Sequence, residues 1–175
     1  MDILVPEEFL PLWEHNEQRP IVKYPAAVLR AKAKPVDRIT KSTRDLVDRM
    51  REVMKSANGI GLAAPQLGTS LRIIVVSEGK RAIALINPVV VSSEGTVVAE
   101  EGCLSLPGLY GDVTRKAIVD VEALDSEGKR VRLRLEGLPA RCVQHEIDHL
   151  DGVLFIDRAD LPTLHWAWPA TADTD

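Results

Sequence analysis

The sequence has few of the features that mark secreted, membrane-bound or nucleic-acid-binding proteins. It contains two cysteines in 175 residues, too few for a disulfide framework. No apolar run of about 18 residues occurs, so no transmembrane helix is predicted. The acidic N-terminal stretch lacks the basic start and apolar core of a signal peptide. The net charge of −4 does not favour nucleic-acid binding. We therefore expect a cytoplasmic protein without a membrane or nucleic-acid partner.

What the sequence does contain is the composition of a single globular domain. Apolar residues make up 45% and charged residues 27% of the chain, and the length is sufficient for one hydrophobic core. Residues 1–20 include two prolines before position 12 and predict a loosely ordered N-terminal arm. Residues 161–175 predict a short C-terminal tail that frays from position 169. Residues 21–160 are expected to form the domain itself.

Hydrophobic periodicity predicts a helix at each end of this domain and antiparallel strands between them. Apolar residues at helical spacing predict a first helix over 43–57, and a last helix is predicted from near Pro139 to about Leu150. Arginines that alternate with valine and leucine predict a half-buried strand over 130–137. Further strands are predicted over 71–77, 81–88, 89–102 (strand, turn, strand) and 112–124. This order indicates an α+β fold, with antiparallel sheets around the C-terminal helix and a second helix near the N-terminus.

The last predicted helix carries a pattern that binds metal ions in many hydrolases. In the stretch QHEIDH, His145 and His149 lie four residues apart, so one helix face directs both imidazoles toward a single ion. Glu146 lies on the same side, where a carboxylate can act on water without being a ligand. This composition would produce the pattern by chance about one time in a hundred. We therefore predict that the C-terminal helix is a metal-binding helix.

A catalytic metal site usually has three protein ligands, and the usual third ligands are missing downstream of this helix. Phe155 stands where one protease class has a histidine, and no glutamate follows Glu146. Cys142 shares the helix face but lies about 7.5 Å along the axis from the expected ion, so it is predicted to be a wall residue. Cys103 remains, at the end of a predicted strand and next to Gly102. The predicted ligand set is therefore Cys103, His145 and His149.

A glycine-rich stretch, NGIGLAAPQLG at 58–68, joins the first helix to the next strand. It lacks the Lys-Ser/Thr of a phosphate-binding loop, and it follows a helix where such a loop follows a strand. It is either a plain helix-to-strand turn or a tight backbone wall that presents Gln66 to a pocket. The residues alone leave both interpretations open.

Three of these stretches together resemble the peptide deformylase family. In chain order they are GIGLAAPQ at 59–66, EGCLS at 101–105 and QHEIDHL at 144–150, and the resemblance covers about residues 20–157. Three motifs in the family's order are more specific than any one of them alone. The resemblance implies an α+β enzyme that removes the formyl group from the N-terminal methionine of nascent proteins, so that residues 21–160 are its catalytic domain.

The resemblance also implies a cofactor, a partner and three residue roles. One divalent metal ion is expected, with Fe²⁺ as the physiological metal and Zn²⁺, Ni²⁺ or Co²⁺ as other occupants. Glu146 is implied to be the general base and acid, while the Gln66 amide and the Leu104 backbone N–H are implied to hold the oxyanion. Formyl-methionyl nascent peptides are the implied partners, and they imply transient contact with the ribosome.

The family's substrate-binding positions are carried over residue by residue. The walls of a methionine pocket are implied for Ile60, Gly102, Leu138, Cys142 and the ring of His145. Gly61 and the backbone around 100–102, which includes Glu101, are implied to pair with the peptide as a neighbouring strand does. These assignments rest on the resemblance alone.

Two positions affect how far the resemblance reaches. Some family members carry an arginine near the substrate after the residue that matches Pro107. This chain has Gly108, Leu109 and Tyr110 in that region, so Tyr110 is predicted to form an aromatic rim. Arg141 is interpreted either as a solvated helix charge or as a contact at the pocket mouth.

Two other functions fit the metal-binding helix less well. An aminopeptidase or endopeptidase is the alternative function, but its downstream ligands are missing and it has no need for the motifs around Gln66 and Cys103. A non-catalytic, metal-stabilised domain requires a fourth protein ligand and has no use for Glu146.

Overall fold

The computed structural model describes residues 2–79 and 81–169, which form two α-helices, five short 3-10 helices and eight strands. The α-helices are α1 (Lys41–Ser56) and α2 (Gly137–Leu150). The 3-10 helices are Glu7–Trp13, Ala27–Leu29, Ala64–Leu67, Phe155–Asp157 and Leu161–Thr163. The strands are β1 (Gly61–Ala63), β2 (Ile73–Glu78), β3 (Arg81–Glu94), β4 (Val97–Cys103), β5 (Leu106–Arg115), β6 (Ile118–Leu124), β7 (Arg130–Glu136) and β8 (His165–Trp166). Within these ranges, no helix has the length and apolarity needed to cross a membrane.

The strands form two antiparallel sheets. A five-stranded sheet has the order β1-β2-β3-β6-β7, and a three-stranded sheet has the order β4-β5-β8. Strands that follow each other along the chain pair as hairpins, as β2 does with β3, β4 with β5 and β6 with β7. The predicted α+β class, with antiparallel sheets around a C-terminal metal-binding helix, is confirmed.

The two α-helices pack on opposite faces of the five-stranded sheet. Strand β2 is buried on both faces, because Ile73 and Val75 belong to the core beneath α1 while Ile74 and Val76 belong to the core beneath α2. The helix residues in these cores include Val47, Met50 and Met54 of α1 and Val143 and Leu150 of α2. Each such side chain contributes about 1.5–3 kcal/mol when it is fully buried. The same packing fixes the position of every side chain that α2 presents on its other face.

The first helix begins two residues earlier than predicted. Its cap is Thr40, whose hydroxyl accepts from the backbone N–H of Thr43 over 3.3 Å, while the Thr43 hydroxyl accepts from the Thr40 N–H over 3.1 Å. This reciprocal pair satisfies two backbone donors that the helix itself leaves unpaired. The helix can therefore start at Lys41.

The predicted strand over 112–124 is wrong as a single element. Strand β5 ends at Arg115 and β6 begins at Ile118, and the two belong to different sheets. The chain leaves the three-stranded sheet and enters the five-stranded sheet within two residues. Both strands satisfy a β-type pattern, so the pattern alone does not reveal the change of sheet.

Strand β3 joins the strand predicted over 81–88 to the first of the two strands predicted within 89–102, because it continues past Pro88 to Glu94. The ladder with β6 is irregular at this point, and Asn87 has a positive φ of 52°. The side chain of Asn87 stabilises this conformation with two hydrogen bonds to the backbone of Val36, at 2.8 and 2.9 Å. A proline is tolerated in a strand at such a bulge, since no ladder hydrogen bond is required of it.

The N-terminal segment contains a short 3-10 helix that packs against the rest of the domain. Residues 7–13 form a 3-10 helix in which Phe9 is only 3% exposed. Phe9 packs against rings from the other end of the chain, where β8 pairs with β5. The predicted fraying tail beyond residue 169 lies outside the described residues.

Candidate metal centre

Helix α2 and the end of strand β4 bring three metal-ligating side chains together. His145 and His149 lie about one turn apart on α2, and Cys103 is the last residue of β4. The Sγ of Cys103 lies 3.3 Å from Nε2 of His149. The ligand atoms of all three residues lie within 4.8 Å of one another. The predicted ligand set therefore converges on a volume that suits a single ion.

The chemistry of this donor set fits a divalent transition-metal ion. Thiolate and imidazole ligands are typical of zinc and iron sites, and three protein ligands leave one coordination position for another molecule. Beside the ligands, Oε2 of Glu146 is buried and has no hydrogen-bond partner in the described part of the chain. A buried carboxylate oxygen in that state indicates a site that completes its contacts with bound species.

A buried carboxylate orients the first of the two histidines. Nδ1 of His145 donates to Oε2 of Glu101 over 2.9 Å, which directs Nε2 toward the metal position. Glu101 also accepts hydrogen bonds from Arg115, at 2.8 and 2.9 Å, and from Arg141 at 2.7 Å. Burial alone would raise the pKa of Glu101, but the bonds with Arg115 and His145 hold it well below its usual range. Glu101 is therefore a permanent anion that fixes the imidazole.

This ion-pair network continues from the metal ligand to the protein surface. Asp148, on the turn of α2 after His145, accepts from Arg115 and also from Arg158, at 2.6 and 2.7 Å. The Arg115 side chain is almost fully buried, whereas the Arg158 side chain is about half exposed. Each buried charge in the network therefore has an opposite charge beside it, as buried ions require.

Glu146 lies in the same turn of α2 but in very different surroundings. It is 4% exposed, and burial raises its pKa to about 7, even though the neighbouring His145 acts to lower it. Gly61 of β1 faces this carboxylate. A Cβ at position 61 would collide with the Glu146 carboxylate and would lie 2.6 Å from Sγ of Cys142. A glycine is therefore required where β1 approaches the helix.

The 3-10 helix Ala64–Leu67 turns Gln66 into the site. Its Oε1 accepts from the backbone N–H of Ala63 over 2.9 Å, and this bond fixes the orientation of the amide. The amide nitrogen then donates to Oγ of Ser105 over 3.1 Å and lies 3.8 Å from Sγ of Cys103. Of the two interpretations of the glycine-rich stretch, the wall that presents Gln66 to a pocket is the one observed.

A cavity of about 450 Å³ opens beside the metal ligands. All the predicted site residues except His149 line it. They are Ile60, Gly61, Gln66, Glu101, Gly102, Cys103, Leu104, Tyr110, Leu138, Arg141, Cys142, His145 and Glu146. Burial raises the pKa of the Cys142 thiol, which donates to the Ile60 carbonyl over 3.2 Å. Cys142 is therefore a protonated residue of the cavity wall and lies outside the cluster of metal-ligating side chains.

Comparison with known proteins identifies the family to which this site belongs. The family model described as Polypeptide deformylase matches residues 18–164. The chain belongs to the peptide deformylase family. Among curated members, the peptide deformylase of Halothermothrix orenii is 57% identical over 133 residues, which cover 75% of this chain and 86% of that relative.

Solved structures of peptide deformylases share the same fold. The crystal structure from Thermus thermophilus is 48% identical, has a TM-score of 0.78, and is matched over 82% of this chain and 86% of that one. The structure from Synechococcus elongatus, solved in complex with actinonin, is 42% identical, has a TM-score of 0.79, and is matched over 85% of this chain and 83% of that one. The chain is thus a metal-dependent hydrolase with the Cys-His-His site typical of peptide deformylases.

Arg141 does not fit the first of its two interpretations, that of a solvated helix charge. Its side chain is 8% exposed and, besides Glu101, it donates to the backbone carbonyls of Val97 and Val113, at 2.9 and 3.0 Å. It lines the deformylase cavity, yet its guanidinium is occupied with β4 and β5. The solvated-charge interpretation is therefore wrong.

Sequence reasoning missed the other members of the ion-pair network. Arg115 lies in a strand whose sheet partner was not recognised, so its burial was not expected. Asp148 is part of the QHEIDHL motif, lies three residues after His145 on α2 and is buried. A carboxylate at that position requires a buried cation, and this was the one signal in the sequence for the network.

Proposed function

We propose that this cavity binds N-formylmethionyl peptides and that the site hydrolyses their formyl group, releasing formate and a free amino terminus. The observation that carries the proposal is that the Cys-His-His cluster lies next to Glu146, whose Oε2 has no partner in the described part of the chain, beside a cavity of about 450 Å³. A metal site with three protein ligands and a buried carboxylate next to it has the composition of a catalytic site, because a structural site would be closed by a fourth ligand.

Cys103, His145 and His149 are the residues that would hold one divalent ion. We propose Fe²⁺ as the physiological metal, with Zn²⁺, Ni²⁺ or Co²⁺ as other occupants. The chemistry that such an ion supplies when bound is Lewis-acid activation of water and of the formyl carbonyl. A thiolate and two neutral imidazoles give the ligand set one negative charge, which favours a divalent cation.

Glu146 is proposed to move the proton during hydrolysis. It takes a proton from the attacking water and delivers it to the leaving amine as the C–N bond breaks. A pKa of about 7 suits both halves of this task, because the group then gains and loses a proton with similar ease at neutral pH. Its Oε2, which has no hydrogen-bond partner among the described residues, is the atom available for that exchange.

Gln66 and Leu104 are proposed to stabilise the oxyanion that develops on the formyl oxygen. The amide of Gln66 is fixed by Ala63, so its N–H groups are held in place before substrate binds. The backbone N–H of Leu104 directly follows the metal-ligating Cys103 and adds a second donor. Preorganised donors of this kind contribute about 2.7–4 kcal/mol each to transition-state stabilisation.

The remaining predicted residues are proposed to bind the peptide. Ile60, Gly102, Leu138 and Cys142, with the ring of His145, form an apolar pocket for the methionine side chain. Gly61 and the backbone of β4 around Glu101 pair with the peptide backbone as a strand does. Tyr110 is proposed to form the aromatic rim, and Arg141 acts on this site indirectly by fixing Glu101.

The family also suggests where such an enzyme works. We include in the proposal a cytoplasmic location and transient contact with the ribosome, since formyl-methionyl nascent peptides emerge there. Direct binding to nucleic acid or to a membrane is not part of the proposal. Sedimentation with translating ribosomes, compared with ribosomes that carry no nascent chain, tests the contact.

The test of the proposed reaction is formate release. The protein should be purified under anaerobic conditions with Fe²⁺, because an iron-bound thiolate is prone to oxidation, and then assayed with formyl-Met-Ala-Ser. Stoichiometric formate with an intact tripeptide is expected. Absence of formate from protein that contains bound iron would overturn the proposal, and cleavage of a peptide bond would support the metallopeptidase alternative.

The ligand assignment has its own matched pair of variants. Cys103→Ser should lose most of its bound metal, because a hydroxyl replaces the thiolate. Cys142→Ser, which changes the same atom type on the cavity wall, should retain a full equivalent. Metal content after gel filtration measures both, and the opposite pattern would contradict the assignment.

A further inference from the structure

The two ends of the chain meet beside the cavity, and both ends lie outside residues 18–164, the part that the family model matches. The N-terminal end supplies the 3-10 helix Glu7–Trp13, and the C-terminal end supplies β8 and residues 167–169. Their aromatic side chains form one cluster. We call this cluster the terminal clasp, and its members are Phe9, Trp13, Trp166 and Trp168.

The members of the terminal clasp pack ring against ring. The Phe9 ring lies 5.2 Å from the ring of Trp166 and 5.2 Å from that of Trp168, measured between centroids, and Trp13 lies 6.2 Å from Trp166. Phe9 is buried in the cluster, while Trp168 is 57% exposed. Contacts at these separations are favourable for aromatic pairs, so the two chain ends stabilise each other.

The segments that carry the terminal clasp form hydrogen bonds with the backbone at one edge of the cavity. The indole N–H of Trp13 donates to the carbonyl of Pro107 over 3.0 Å. The backbone N–H of Ala167 donates to the carbonyl of Gly108 over 2.8 Å. Residues 107, 108 and 110 of β5, together with Pro169, line the cavity. We call these four residues the outer rim.

The outer rim needs such support, because Gly108 has a positive φ of 85°. Glycine adopts this conformation readily but also leaves it readily. Phe9 packs against the glycine so closely that a Cβ at position 108 would lie 2.8 Å from the Phe9 ring. The conformation of the rim thus depends on contacts that the two chain ends provide.

We propose that the terminal clasp positions the outer rim and thereby sets the affinity for the peptide residues that follow the methionine. The inference rests on the proposed function. The outer rim is built from β5 and residue 169, whereas the proposed methionine pocket is built mainly from the loop before β1 and from α2. The clasp residues are positioning residues, since they lie behind the rim and touch no reacting group.

The kinetic test compares a substrate that reaches the outer rim with one that does not. Formyl-Met-Ala-Ser extends past the methionine, and formyl-methionylamide ends there. Trp13→Phe keeps an aromatic ring in the clasp but removes the indole N–H that binds Pro107, together with part of the ring system. The variant should raise KM for the tripeptide by about twofold to tenfold, which corresponds to the loss of one hydrogen bond, and should change kcat little. For the short substrate, neither KM nor kcat should change. Phe9→Ala should act in the same direction and more strongly.

Leu10→Ala is the matched control, because Leu10 lies on the same 3-10 helix but is 51% exposed and is not part of the clasp. It should leave both substrates unchanged. The proposal is overturned if Trp13→Phe changes KM for both substrates equally, or for neither. Formate release from the short substrate separates this failure from a failure of the proposed function, which would abolish release from every formylated compound.

Tryptophan emission gives a second readout that does not depend on turnover. The chain has three tryptophans, and all three belong to the terminal clasp. Formyl-Met-Ala-Ser titrated into the Glu146→Gln variant should shift the emission in a saturable way, while formyl-methionylamide should leave it unchanged. An equal response to both compounds, or to neither, would contradict the coupling between clasp and rim.

Discussion

Two buried glutamates lie next to the same histidine, and they have opposite surroundings. The carboxylate of Glu101 is bonded to Arg115, Arg141 and His145, and these bonds hold its pKa well below the usual range. Glu146 is buried to a similar extent, but Oε2 has no partner in the described chain, and burial raises its pKa to about 7. The first is a fixed anion, and the second exchanges a proton easily.

The comparison teaches that burial alone does not decide what a carboxylate does. A buried carboxylate with cationic partners stays charged and holds its neighbours in place. A buried carboxylate without them shares its time between two protonation states, which is the property a general base and acid requires. The four predictions below change one glutamate, or its surroundings, without changing the other.

The largest effect is expected for Glu146→Gln. The amide keeps the size of the side chain but cannot accept and deliver a proton, so kcat for formate release should fall by about 10²- to 10⁴-fold. Metal content and the free energy of unfolding should stay near those of the parent, because no described hydrogen bond to Oε2 is lost. Activity within tenfold of the parent would mean that another group moves the proton.

The next largest effect is expected for Gly61→Ala, which keeps Glu146 in the sequence but displaces its carboxylate. The added methyl group would collide with the Glu146 carboxylate and with Sγ of Cys142. A misplacement of about 1 Å lowers turnover by about 10²-fold. Gly59→Ala is the matched control on the same glycine-rich stretch, because the one close approach of its methyl group, at 2.8 Å, is to the end of the Leu104 side chain, which can rotate away. Equal losses in both variants would show that the loop, and not Glu146, is what matters.

Glu101→Gln tests the glutamate that is paired with arginines. The change leaves Arg115 and Arg141 as buried cations with a neutral neighbour, so the free energy of unfolding should fall by about 3–5 kcal/mol. Metal affinity should fall by about 10- to 100-fold, because His145 loses its orienting anion. Urea unfolding of the metal-free protein and competition with a chelator measure the two effects.

Glu122→Gln is the control for that variant. Glu122 lies on β6, and its side chain is more than half exposed in a pair with Arg132. Removing an exposed charge of this kind should change stability by about 1 kcal/mol or less. If Glu101→Gln lowers the free energy of unfolding as little as this control does, the ion pairs of Glu101 do not stabilise the fold.

The metal centre was largely predictable because its signals are local. The spacing of His145 and His149 places both side chains on one face of a helix. Cys103 was then identified as the third ligand by elimination. Arg141 was not predictable in the same way. Its burial follows from Glu101 and from carbonyls of β4 and β5, and these partners meet only after the strands have paired.

The same reasoning applies to the fold. Helix α1 and strand β7 were predicted because a periodic pattern records which face is buried. The burial of Phe9 was not predicted, because its ring packs against Trp166 and Trp168, which lie more than 150 residues away along the chain. No pattern within residues 1–20 contains that information. Contacts between distant segments therefore account for most of the differences between prediction and structure.

The smallest effect is expected for Arg158→Ala, at the outer end of the network that holds Glu101. Asp148 is bound on its inner side by the buried Arg115 and on its outer side by the half-exposed Arg158. Because water can replace an exposed guanidinium, stability should fall by about 1 kcal/mol or less, with metal affinity and kcat unchanged. Thermal unfolding and metal titration measure this. A loss of stability as large as that of Glu101→Gln would mean that the network acts as one cooperative unit. The charge of Glu101 would then depend on every ion pair between His145 and the surface.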